Sequence, residues 1–272
     1  MKNLNEGITF DILKDSFEFN FESNNGNCII EFDDLPLEPV QIGINDIYYF
    51  GYQFLNNDYA TSQIRKKFFN HLKSNNNLIP EEIKHKFIMN ALNKLHKQIN
   101  LYTFDTVICP QSRSELNQKL LEIIHKTVPV NHYLKLELLK NNPENIKFDY
   151  DAWENMIAEK EQNGIKVFVN KAAYLNALKS IENLMSKIHS ANYFSIAETV
   201  KNNKYKRFIE NYLIFKNSDL EYVRFAKNIL LIDDVATSGS TIFDCIKAIR
   251  CLNISAKIII FTIVGKKDIG YN

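Results

Sequence analysis

N-I-L-L-I-D-D-V-A-T-S-G-S-T, Asn228 to Thr241, joins three pieces in an order that decides the fold. The first, Asn228 to Ile232, is of strand length and holds the unbroken apolar run Ile229 to Ile232, the pattern of a strand covered on both faces in a parallel sheet. Two carboxylates, Asp233 and Asp234, follow it, and then a small hydroxyl-rich loop, Thr237 to Thr241, built around Gly239. Thr241 to Leu252 carries apolar residues at helical spacing and Ala256 to Val264 is a second apolar strand. Strand, loop, helix and strand in this order predict an α/β fold with a parallel sheet, the loop lying at the carboxyl end of its strand where open sheets place their ligands.

The same unit recurs upstream. Thr103 to Cys109 is a short apolar run ending at Pro110, Ser114 to Lys126 is a helix with Leu116, Leu120, Ile123 and Ile124 on one stripe, and His132 to Leu139 supplies the next strand. Before it, Ile8 to Leu13 and Phe17 to Phe21 alternate with period two and Asn25-Gly26 leads to Cys28 to Phe32, which predicts antiparallel hairpins. Two helices are expected between Tyr59 and Asn100, the second opening at Pro80-Glu81-Glu82. Asn141 to Phe225 is far too long for a βα connection. Leu175, Leu178, Ile181, Leu184, Met185 and Ile188 form a helical stripe within it, with breaks at Asn163-Gly164 and Asn202-Asn203. The expected organisation is a hairpin and helical region over 1–100, a core over 101–272 and a helical insertion over 141–225.

Lys and Arg total 33 against 32 Asp and Glu, so the net charge of +1 gives no broad positive field for unspecific nucleic-acid binding. The apolar strands are far shorter than the roughly 20 residues needed to span a bilayer, so no membrane role is expected. Cys28, Cys109, Cys245 and Cys251 show no metal-ligand spacing, and no charged stretch followed by an apolar signal segment opens the chain. A reducing, cytoplasmic setting is expected. His125, His132 and His189 lack partner spacing, Cys109 reads as buried packing, and Trp153 with Tyr150 as part of the insertion's core.

The loop after the Asp pair has its own chemistry. A helix N-terminus offers unpaired N–H groups and the positive end of the dipole, so Thr237, Ser238, Gly239, Ser240 and Thr241 suit a phosphate monoester, and Gly239 lets the backbone approach it. Asp233 and Asp234 offer acceptors for two neighbouring ribose hydroxyls. Asn228 to Thr241 thereby resembles the 5-phosphoribosyl-1-pyrophosphate (PRPP) signature of type I phosphoribosyltransferases. Cys109 to Leu121, Arg207 to Phe215 and an end soon after the last strand look most like the ComF-type members.

The resemblance implies a phosphoribosyltransferase core in which Asp233 and Asp234 hold the ribose and act at the reacting centre, while Thr237 to Thr241 wrap the 5-phosphate. It maps the pyrophosphate loop onto Gln111, Ser112, Arg113 and Ser114, and a mobile cap onto Lys204, Lys206 and Arg207, with Lys135 a further cation. The cofactor implied is Mg²⁺ carried by PRPP, and the reaction is displacement of pyrophosphate by an unidentified nitrogenous acceptor. Purine-salvage members that handle 6-oxopurines carry an Asp where this chain has Thr237, which disfavours that substrate class. The acceptor "hood" is expected from Met1 to Asn100 or from the insertion. The alternative is a non-catalytic module sensing PRPP or a nucleoside monophosphate, with a protein or nucleic-acid partner.

Overall fold

The computed structural model describes residues 6–11, 16–20, 28–32, 37–54, 61–73, 79–110, 114–136, 143–190, 205, 208–210, 215, 217–236 and 239–266. Strands β1 (Glu6–Asp11), β2 (Ser16–Asn20) and β3 (Cys28–Phe32) form an antiparallel sheet in the order β2-β1-β3. After β4 (Val40–Gln41) and β5 (Asp46–Gln53) come helices α1 (Ser62–Lys73) and α2 (Glu81–Gln98). β6 (Thr106–Pro110), α3 (Glu115–Thr127) and β7 (His132–Leu136) make the first strand-helix-strand unit. β8 (Lys147–Phe148), α4 (Tyr150–Gln162), α5 (Lys171–Ser190), β9 (Ile209–Glu210) and α6 (Leu220–Phe225) occupy the long intervening stretch. β10 (Asn228–Val235), α7 (Ser240–Leu252) and β11 (Lys257–Gly265) make the second unit.

The central sheet has six strands in the order β4-β5-β11-β10-β6-β7. All neighbours are parallel except β4, which runs antiparallel along the edge of β5. The fold is therefore mixed α/β around a mostly parallel sheet. Burial explains the composition of its strands: β10 is buried from Ile229 to Asp234 and β11 from Ile258 to Gly265, because helices cover both faces. Alternate residues divide between two cores. Leu230, Ile232, Ile259 and Phe261 pack with α1, α2 and α3, whereas Ile229, Leu231, Ile258 and Ile260 pack with α6 and α7.

The sheet takes in β5, from the stretch 1–100 expected to hold only hairpins and helices. Asp46–Gln53 is apolar on both faces, so it carries no alternation to announce it. The small antiparallel sheet lies over the α1 side, where Ile8, Ile29 and Ile30 join that core and the Phe17 ring meets Phe68 of α1 edge-on at 5.3 Å. Inside the long stretch, α4 and α5 close a third core around Trp153, Ile157, Ile181 and Ile188, and the β8–β9 pairing ties the ends of this unit together. Gly164, just past α4, takes φ 77°, the left-handed conformation with which helices commonly end.

Candidate functional site

β6 leads through α3 to β7 on one side, and β10 leads through α7 to β11 on the other. Connections thus depart in opposite directions from two adjacent parallel strands, and their carboxyl ends form a topological switch point, the place where open α/β sheets bind ligands. The register that builds it is fixed at the far end. Asp105 Oδ2 accepts the backbone N–H groups of Lys227 and Asn228 at 2.7 and 2.8 Å, pinning the start of β10 beside β6. Pairing runs from Ile229↔Thr106 to Leu231↔Ile108, and two residues further on stand Asp233 and Pro110.

Asp233 and Asp234 end the buried part of β10, at 7% and 2% exposure. Asp233 Oδ1 accepts the Asp234 backbone N–H at 2.9 Å, so the first carboxylate shapes the turn that presents the second. β10 stays bound to β11 as far as Ala236, whose N–H donates to Val264 O at 2.9 Å. Gly239 is the N-cap of α7 at φ 74°, a conformation that favours glycine, and its carbonyl takes the first helical bond from Phe243 N. With no side-chain oxygen at this N-cap, the first turn of α7, Ser240 and exposed Thr241, begins without a cap from Gly239.

The second helix start is at α3, where Ser114 is the N-cap but makes no side-chain capping bond. Asn117, 4% exposed, donates from Nδ2 to Pro110 O at 3.4 Å, and its Oδ1 is buried without a partner. Lys84, almost fully buried on α2, reaches Glu115 Oε2 at 3.5 Å and Glu81 Oε1 at 3.3 Å, which holds the first turn of α3 against α2.

Among the described residues, a cation from a distant helix reaches Asp234. Lys73, the last residue of α1, places Nζ 2.7 Å from Asp234 Oδ1, while Asp234 Oδ2 is buried and lacks a hydrogen-bond partner. Nothing in the local sequence of Lys73 signals this, because the contact joins segments far apart in the chain. Cys109 pairs in register with Lys135, which is exposed on β7. Burial pushes the Cys109 thiol up from 9.0 to about 12; Lys135 opposes the shift and the Asp233 carboxylate adds to it. Burial likewise holds the Tyr48 phenol far above its ordinary range, opposed by its 2.8 Å hydrogen bond with Thr262 Oγ1.

Asp233, Asp234, Ser114, Gly239, Ser240 and Thr241 therefore stand at the carboxyl edge of β6 and β10. Gln111, Ser112, Arg113, Thr237, Ser238, Lys204, Lys206 and Arg207 lie outside the described residues. The histidines take packing roles: His132 stacks on Tyr222 at 3.9 Å, His125 tilts against Tyr133, and His189 Nε2 meets Ile146 O at 3.0 Å. Among the described residues no group of three or more His, Cys, Asp or Glu is arranged to hold a metal. The oxygen donors of the Asp pair suit Mg²⁺ arriving on a ligand's phosphates, since that ion keeps most of its waters and takes few protein ligands. No helix among the described residues is long and apolar enough to cross a membrane. No protein-family model matches the chain, and a search of the curated proteins finds no match.

Proposed function

We propose that the chain has a type I phosphoribosyltransferase core, binds PRPP at the β6/β10 switch point and transfers the phosphoribosyl group to a nitrogenous acceptor, releasing pyrophosphate. The observation that carries the reading is an orphaned buried carboxylate oxygen, Asp234 Oδ2, near the end of β10 and shortly before the Gly239 N-cap of α7. A buried charged group left unsatisfied is expensive, and a ribose hydroxyl supplies the missing donor.

In this reading Asp233 and Asp234 accept from the 2′- and 3′-hydroxyls and fix the sugar. The amides opening α7, with the hydroxyls of Thr237 to Thr241, grip the 5-phosphate. Gln111 to Ser114, before α3, receive the pyrophosphate, and Lys204, Lys206 and Arg207 close over it. As the bond to pyrophosphate lengthens, the anomeric carbon gains positive charge and the two carboxylates stabilise it at close range. Bound Mg²⁺ supplies neutralisation of the leaving pyrophosphate. The hood over the acceptor is drawn from the N-terminal region, because α1 already reaches Asp234 through Lys73. Thr237 offers no carboxylate for proton transfer to a 6-oxopurine, so the acceptor belongs to another class of base or amine.

The test is pyrophosphate release from PRPP and Mg²⁺ across a panel of bases and amines. Release that survives both Asp234→Asn and Gly239→Trp rejects the assignment. A sensing module for PRPP or a nucleoside monophosphate is the second reading, favoured by the low exposure of both carboxylates with Lys73 on Asp234. Calorimetric binding without turnover points there.

A further inference from the structure

The pair between Lys73 and Asp234 is built on one side only. Asp234 is 3% exposed in its side chain and Lys73 37%, and the ammonium meets Oδ1 while Oδ2 has no donor. An ion pair serving stability alone gains when the buried partner's remaining lone pairs are also satisfied; here half of the buried carboxylate is left open. The unsatisfied oxygen has a lone pair to give to a donor, and its neighbour is held by a cation on a long, partly solvated side chain that belongs to neither core of the sheet.

The origin of that cation matters. Lys73 ends α1, whose Phe68 and His71 lie against Phe17 of the small N-terminal sheet, so the ammonium belongs to a layer packed over the central sheet and not to the strand-loop-helix units of the switch point. We infer that Lys73 is a ligand-discriminating residue: it neutralises Asp234 in the empty site and transfers its charge to an anionic group on carbon 1 of a bound ribose 5-phosphate. This rests on the sugar-phosphate reading of the switch point. A sugar carrying pyrophosphate at carbon 1 gains a charge-assisted contact as Lys73 leaves Asp234. A sugar with a plain hydroxyl at carbon 1 gains no such contact and still competes with the ammonium for Asp234.

The two ligands therefore respond to loss of Lys73 in opposite senses. Calorimetric dissociation constants for PRPP with Mg²⁺ and for ribose 5-phosphate, measured on the full chain, give a selectivity ratio for wild type, Lys73→Ala and Lys73→Arg. Lys73→Ala is expected to weaken PRPP by roughly tenfold or more while ribose 5-phosphate binds equally well or more tightly, so the ratio collapses. Lys73→Arg keeps the charge and most of the ratio. A merely structural lysine weakens both ligands by one factor and leaves the ratio unchanged, which overturns the inference and leaves the site reading standing. Wild-type protein that binds neither ligand removes the site reading, and the inference with it.

Discussion

At the residue scale, the carboxyl edge of the sheet concentrates groups whose burial sets their protonation. Cys109 is buried between β10 and β7, and its thiol is raised to about 12 while the unfolded chain ionises near 9.0. Between those values the native state binds more protons than the unfolded state, so stability falls as pH rises. The contribution is fully present below pH 9 and amounts to about 1 kcal/mol lost by pH 10, at roughly 1.4 kcal/mol per unit. Urea unfolding of the reduced protein at pH 7.5 and pH 10 reads it: wild type loses about 1 kcal/mol more than Cys109→Ala across that interval. The other thiols ionise in both proteins and cancel in the comparison. Parallel pH dependence for the two proteins would show that the thiol ionises in the folded state as it does in the unfolded.

At the element scale, the sheet depends on how closely α2 lies on it. A Cβ at Gly51 of β5 would stand 2.4 Å from Ala91 Cβ and 3.0 Å from Ile263 O, so the glycine is what lets the helix seat. Gly51→Ala is expected to lower the unfolding free energy by about 1–3 kcal/mol, as overpacking does. The double variant with Ala91→Gly should lose less than the two single losses added together, because one clash vanishes. Strict additivity in urea titrations would mean that the helix moves away freely. This packing also separates what the sequence reveals from what it hides. β10, α7 and β11 were legible because a fully buried strand, a glycine-bearing loop and an amphipathic helix each leave a local signature. β5 was not, since eight residues of which six are buried, on both faces and with Gly51 among them, resemble neither alternation nor a strand-loop-helix unit. Asp233 and Asp234 were legible from their place after a strand, while Lys73 was invisible because only the tertiary fold carries the end of α1 to β10.

At the scale of the whole molecule, three separate cores raise the question of which parts unfold together. The third core is closed by α4, α5, β8 and β9, with Trp153 stacked on Tyr174 at 5.6 Å and bordered by Phe148 and Phe168. None of its residues belongs to the two cores of the sheet. Truncating a fully buried aromatic costs about 3–5 kcal/mol, and that loss should fall on the unit that contains it. In Trp153→Ala, hydrogen exchange followed by mass spectrometry is expected to accelerate across 147–190 and to remain unchanged across 228–265, the behaviour of a separate cooperative unit. The same variant bears on the pyrophosphate cap. Tyr205 and Phe208 of this core alternate in sequence with Lys204, Lys206 and Arg207, so loosening the inserted unit is expected to weaken PRPP while ribose 5-phosphate, which has no pyrophosphate to cap, stays within about twofold, a few tenths of a kcal/mol. Faster exchange in both regions would join the inserted unit to the sheet as one folding unit, and unchanged affinity for PRPP would remove the cap from the insertion.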